Sequence, residues 1–321
     1  MPKVKTIGNG VFSYCSVLNM VSAPQVETIG DAAFSFVQSK LKAVNFPKAK
    51  SLGQGAFKNC SGLVSVFLPE VSEIGKSAFT FCRAIQSVSF PKAVNIGENA
   101  FDQCTNLATI DIPKAKSIGA LSFYRCENLK DVTFPAAEIV KVRAFQNCSN
   151  LTSVNFPALK TLDDLVFIEC PELVSATLPV VENIGEYAFN KCGKLSSLVS
   201  PKVKVVKAFA FQFCTSLRSV SFPEATNIGM AAFQDCSSLE SVRFPSVKEI
   251  GSLVFGGNCN KVTFLEIATG TTGLTSINGS PFGGDIFSNI TLTVGQGEKT
   301  NITDGDMWRG FGPFKQIIVV P

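Results

Sequence analysis

Apolar and polar positions alternate along this chain in short bursts of one kind. Leu151, Val154 and Phe156 stand among Thr152, Ser153 and Asn155, and Pro157 closes the run. Alternation with a period of two predicts a strand with one buried face, and a proline, lacking an amide hydrogen to continue a ladder, ends it. The same wording, with small exchanges, precedes Pro47, Pro69, Pro91, Pro113, Pro135, Pro157, Pro179, Pro201, Pro223 and Pro245 at a spacing of 22 residues. Pro2 and Pro24 extend the series at the front. Ten residues after each of these prolines comes a Phe, from Phe12 and Phe34 to Phe233 and Phe255, and three after the Phe comes Cys in ten copies.

Between Pro and Phe, a small apolar residue (Ala49, Val71, Ala93, Ala115, Ala225) is followed by an Ile-Gly pair (Ile74-Gly75, Ile96-Gly97, Ile118-Gly119, Ile228-Gly229). The pair reads as a corner, with a positive φ expected at the glycine, although Lys141, Asp163 and Lys207 take its place in three copies. Ala-Phe-x-x-Cys has the three-residue step of a short 3-10 or helical turn. A unit of this size cannot bury its apolar side alone, so copies must stack on their neighbours. The expected architecture is a repeat solenoid over residues 1–262, about twelve coils of 22 residues. After Phe255 the register fails. Apolar islands at 262–267 and 274–277, followed by 290–294 and 316–320, predict a β-rich C-terminal cap over 263–321, anchored by the single tryptophan, Trp308.

Composition narrows the chemistry. A net charge of +4 with both signs interspersed gives no reason to expect a nucleic-acid partner, and no apolar run reaches the length needed to span a bilayer. Eleven cysteines raise the question of disulfides, metal or a nucleophile. Their fixed slot and odd number, and the absence of any Cys-x-x-Cys pair, favour a column of buried thiols acting as small hydrophobes. The chain has no histidine, which removes the commonest general base and metal ligand. No cofactor motif, catalytic residue or metal site is predicted, and the chain is read as a non-enzyme. An enzyme housed in the cap would need a polar pocket around Asp304, Asp306 and Trp308.

Two surface strips are left for recognition. The outward strand positions, two residues before each proline, are small and polar, lack the Tyr, Trp and Arg density of a strong binding hot spot, and include Phe67, Asp111, Asn155 and Arg243 as candidate contacts. One and three residues after the prolines stand Lys48, Lys50, Lys92, Lys114, Lys116, Lys160, Lys202, Lys204 and Lys248, interrupted by Glu70, Glu138, Glu182 and Glu224. Stacked, these lysines form a basic flank for an acidic matrix protein or a sulfated glycan, or serve solubility alone. Sequons at Asn59, Asn147, Asn150, Asn278, Asn289 and Asn301 matter only along a eukaryotic secretory route.

The unit Leu-x-Ser-Val-x-Phe-Pro-x-Ala-x-x-Ile-Gly-x-x-Ala-Phe-x-x-Cys resembles the leucine-rich repeats of BspA-like bacterial surface proteins. The closing Trp308-Arg-Gly-Phe311-Gly-Pro-Phe314-Lys-Gln-Ile317 is similar to the segment that commonly ends that family. The resemblance implies a right-handed leucine-rich repeat solenoid, with parallel strands on a concave face and corners and short turns on the convex side. It also implies a surface-exposed or secreted module for adhesion or protein binding, with extracellular-matrix proteins among possible partners. An intracellular protist scaffold and a glycan binder working through the lysine flank are the rival readings. Met1 falls just before the first template proline, so the first coil lacks its strand half; the expectation is a trimmed chain with any export signal upstream.

Overall fold

The computed structural model describes residues 3–267, 274–282, 287–303, 307–309, 312 and 314–320. The chain forms two compact units, Met1–Leu159 with Val166–Cys170, and Lys160–Leu165 with Pro171–Pro321. Each is a parallel-strand β-solenoid; from the coil that contains Ala43–Asn45 onward, the repeat coils give a longer strand to one side and a two-residue strand to the other.

The longer strands are those that the alternation predicts. In the first unit Ala43–Asn45 pairs with Ser65–Phe67, Ser87–Ser89 with Thr109–Asp111, and Asp131–Thr133 with Ser153–Asn155, all parallel and in register. Their central residues point inward, where Val44, Val88, Val132 and Val154 are buried.

The Ile-Gly corner is itself a ladder. Two-residue strands such as Glu73–Ile74, Asn95–Ile96 and Ser117–Ile118 pair coil to coil. In the second unit the series runs from Thr161–Leu162 and Asn183–Ile184 to Glu249–Ile250 and Ser276–Ile277. The glycine after these strands is not in the left-handed region, contrary to the expectation of a positive φ. Its role is proximity: a Cβ on Gly97 would lie 2.7 Å from the backbone carbon of Gly75 and the nitrogen of Lys76. Lys207, in a glycine slot, sends its ammonium past Gly185 to Asp164 two coils back, 2.9 Å away.

The Ala-Phe-x-x-Cys segment keeps its three-residue step but does not wind into a helix. Around Phe57 the amides of Ala56, Lys58 and Cys60 bond three residues back, while those of Gly55, Phe57 and Asn59 reach the carbonyls of Lys76, Ala78 and Thr80 in the next coil. Alternate amides therefore belong to the stack, and a helix would withdraw them from it. The two residues flanking each Phe at a distance of two have positive φ, Ser77 and Phe81 around Phe79 for example, as a chain of type II turns requires.

Inside, the repeat phenylalanines stack ring on ring. Centroids are 5.4 Å apart for Phe57–Phe79, 5.3 Å for Phe79–Phe101 and 5.1 Å for Phe123–Phe145, with nearly parallel planes. Offset stacks at this spacing add to the burial energy of the rings. Phe90, Phe134 and Phe156 tilt against the column from the strand side.

Beyond Phe255 the coils continue although the wording stops. Phe264–Ile267, Thr291–Gly295 and Gln316–Val320 extend the long-strand ladder from Ser241–Phe244 in parallel register, at steps longer than the repeat. This end is tied by a buried ion pair. Glu298, 1% exposed, receives Nε and Nη2 of Arg309 at 2.7 and 2.9 Å, the amide of Leu274 at 2.6 Å and Nδ2 of Asn301 at 3.0 Å. Arg309 also donates to the carbonyl of Leu274. Asp304, Asp306 and the side chain of Trp308, the residues expected to form a polar pocket and an anchor, lie outside the described residues.

Candidate protein-interaction surface

The thiols are committed to the stack. Ten of the eleven cysteines are buried, and none is in a disulfide. The S–H of Cys82 reaches the carbonyl of Phe57, that of Cys104 the carbonyl of Phe79 and that of Cys126 the carbonyl of Phe101, at 3.0 to 3.3 Å. The same carbonyl accepts the amide of its own coil's cysteine, as Phe57 does from Cys60. Cysteine thus supplies a small apolar body and a weak donor for the carbonyl's second lone pair. Burial pushes the thiols of Cys82, Cys126, Cys148, Cys214 and Cys236 well up, Cys170 to about 12 and Cys259 to about 11. A neutral thiol is neither nucleophile nor metal ligand. Among the described residues no group of three or more Cys, Asp or Glu is placed to hold a metal ion.

The lysine flank is largely neutralised by glutamates of adjacent coils. Lys50 pairs with Glu27, Lys92 with Glu70, Lys116 with Glu138, Lys202 with Glu224 and Lys204 with Glu182, at 2.5 to 3.4 Å. Lys48 donates to Gln25 at 2.6 Å. Lys114 and Lys160 stand exposed in the same strip. Pairs this exposed are worth at most about 1 kcal/mol each, but they remove most of the net field a polyanion would feel. Reading each slot against its neighbours one coil away would have shown these partners in the sequence.

The outward face of the longer strands carries part of the uncovered apolar surface, the largest exposures among the described residues being at Val11, Tyr14, Val17 and Met20 near the N-terminus. Phe67 is 53% exposed and Val64 42% in the first unit; Val199 and Val174 are exposed in the second. Of the other strip residues, Asp111 is exposed and accepts the Ser89 hydroxyl at 2.8 Å, Asn155 is half-buried, and Arg243, in the second unit, pairs with Glu266 at 3.0 Å. Nearby, Asp131 accepts the hydroxyls of Thr152 and Ser153.

Two grooves run along seams in the strand ladder. Ser65–Phe67 pairs toward Ala43–Asn45 and Ser87–Ser89 toward Thr109–Asp111, with no strand pairing between the two couples. A groove of about 520 Å³ lies there, bordered by Val64, Gln86, Thr109 and Asp111. At the next seam a shallower one of about 340 Å³ is lined by Asp111, Pro113, Asp131, Thr133 and Pro135. Val66 and Ile110, in an inward slot that is buried in most other coils although not at Leu198, are only half-buried and form an apolar floor. Sequence reasoning missed this feature; the one signal for it is the break in alternation at Val66-Phe67-Leu68.

The repeat pattern and this geometry together can be set against known families. The family described as the BspA-type leucine-rich repeat region matches over overlapping stretches, 1–107, 32–152, 72–196, 116–225 and 182–300. The chain belongs to the BspA-type leucine-rich repeat family. Its coils are similar to those of a leucine-rich repeat protein from Bacteroides ovatus, at 22% identity over 83% of this chain and 77% of that one, with a TM-score of 0.63. A leucine-rich cell surface protein of Faecalibacterium prausnitzii matches at 22% identity over 99% and 88%, TM-score 0.47. The pneumococcal vaccine antigen PcpA matches at 16% over 99% and 77%, TM-score 0.48. At these identities the likeness is one of fold. No curated protein matches the chain significantly.

Proposed function

We propose that this BspA-type repeat chain is a non-enzymatic binding module, displayed at a cell surface or secreted, that holds a protein partner on the outward face of its longer strands. The observation that carries the reading is uncovered apolar surface, Phe67 and Val64 with the half-buried Val66 and Ile110, on a face otherwise made mostly of short polar side chains. Apolar side chains set among polar neighbours are the usual mark of an interaction site. The chain's lack of histidine and its buried, neutral thiols support a non-catalytic role. Adhesion to host matrix or to other cells is the form of binding that the family resemblance suggests.

Beads coated with the protein test this on matrix-coated surfaces and cultured cells. Attachment is expected to fall at least tenfold with Phe67→Lys combined with Val199→Lys, and to persist with Lys92→Glu on the flank. Attachment that survives the strand-face variant, or is lost only with the flank variant, would overturn the reading. Antibody labelling of intact cells checks the surface location.

A further inference from the structure

Building on the strand-face reading, and depending on it, we infer that the partner presents an extended peptide segment carrying an apolar side chain and, three residues away, an arginine or lysine. The apolar half comes from the first seam. Val66 and Ile110 floor the groove and Val64 stands exposed at its border, while Phe67, the residue after Val66 on the same strand, is exposed on the outward face. A single aliphatic or aromatic side chain laid there would cover surface that the stack leaves in water.

The charged half comes from how the carboxylates are used. Elsewhere on the molecule seven glutamates (Glu27, Glu70, Glu98, Glu138, Glu172, Glu182, Glu224) are each met by a lysine, while Glu73 and Glu249 are met by asparagine amides and Asp31 by a backbone amide. Asp111 and Asp131 are met only by hydroxyls, from Ser89 and from Thr152 and Ser153, and no lysine or arginine lines either groove. The two aspartates stand on neighbouring strands at the second seam, since Thr109 and Asp131 share one strand slot and Asp111 and Thr133 the other. Asp111 borders both grooves and Asp131 only the second, so an acidic pair stands beside the part-apolar first groove, and a cation is the complement that neutralises it without a like-charge clash.

Spacing sets the sequence separation. Phe67 and Asp111 occupy the same slot two coils apart, roughly 10 Å at the usual strand separation of about 4.8 Å. A peptide in the extended polyproline II form advances about 3.1 Å per residue and turns the same side down every third residue, so a segment crossing the strands brings residues i and i+3 over the two ends. Arginine suits the acidic end best, because its planar fork takes two acceptors at once.

Phage-displayed random heptapeptides panned on the intact chain test the inference. Enriched sequences should carry an apolar residue three positions from arginine or lysine. Their retention should fall at least tenfold on Phe67→Ser and on Asp111→Asn combined with Asp131→Asn, hold on Lys92→Ala on the flank, and weaken as salt is raised. All the replaced side chains are exposed, and unchanged thermal midpoints would show that the variants fold. Enriched peptides without a cation, or undiminished on the double asparagine variant, overturn the partner chemistry; if Phe67→Ser still releases them, the strand-face reading stands without it. Peptides indifferent to every strand-face variant overturn both, and a library that yields no enrichment overturns the inference.

Discussion

At the scale of the residue, this stack is intolerant of polar atoms that find no neighbour, and Asp102 shows it. Its Oδ1 is buried without a donor from the protein. Burial raises its carboxyl to about 6, against the lowering pull of a Gln103 hydrogen bond and of the Lys58 and Arg125 charges. Because the folded state holds this proton more tightly than the unfolded chain, Asp102 makes stability fall as pH rises from about 4 to about 6. The Asp102→Asn variant should melt higher than the parent at pH 7, with the gap closing below pH 4; thermal melts across that range would show it, and a constant gap would count against it. Asp164 runs the other way. Burial raises it, but the Lys207 ammonium and the Glu186 amide outweigh that and hold its carboxyl below the usual range, so its contribution is lost only as pH falls through that lowered value. Glu298 is the most demanding case, since removing either partner of a buried ion pair strands a charge. Glu298→Ala should cost roughly 3–5 kcal/mol of whatever holds the C-terminal coils, read as their early loss of hydrogen-exchange protection.

The coil is the element, and its turn side is the least obvious part of its design. Residues two before and two after each repeat Phe sit at positive φ, with asparagine at Asn59, Asn99 and Asn147, glycine at Gly10, Gly55 and Gly257, and larger residues such as Phe81, Leu121 and Tyr187 elsewhere. No valine, isoleucine or threonine occupies any of these positions. A branched Cβ is most strained there, so the omission is the mark these turns leave in the sequence. Asn147→Val should lose on the order of 1–2 kcal/mol, and Gly97→Ala more, because its Cβ meets backbone in the adjacent coil rather than a side chain that can yield. Urea unfolding of the two variants beside Lys92→Ala, an exposed control, would check the order; an unchanged Gly97→Ala midpoint would mean that the coils can move apart.

For the molecule, stability is a sum of coil-to-coil contacts, and the thiols report on it. Buried in the stack, the cysteines from Cys60 to Cys259 should be silent to a thiol reagent in native buffer, with Cys15, half-exposed, reacting first. In rising denaturant, labelling read by mass spectrometry should spread from ends inward instead of appearing everywhere at once. Phe101→Ala, which breaks the ring stack and leaves a cavity at a cost of about 3–5 kcal/mol, should open a second front at Cys82, Cys104 and Cys126. Uniform labelling of all thiols in that variant would argue for one cooperative transition.

The coil length, the inward direction of Phe and Cys, the strand that ends at each proline and the family were all legible in the order of residues. They depend on period-two alternation and fixed slots, which are local and repeat unchanged. The Ile-Gly ladder, the glycine that makes room for another coil, and the turns in place of a helix were not legible, because each is settled by hydrogen bonds to a residue 22 positions away. The glutamates that meet Lys50, Lys92, Lys116, Lys202 and Lys204 were in view in the sequence, one coil away in neighbouring slots, and the structure closes the pairs. The apolar islands at 262–267 and 290–294 predicted strands past the failed register, but only the tertiary structure could show that Phe264–Ile267 and Thr291–Gly295 carry on the parallel ladder of the coils. It alone could show that two seams leave Val66 and Ile110 half-uncovered beside Asp111: sequence sets which side of a strand a residue faces, but how closely adjacent strands approach is decided by the packing of whole coils.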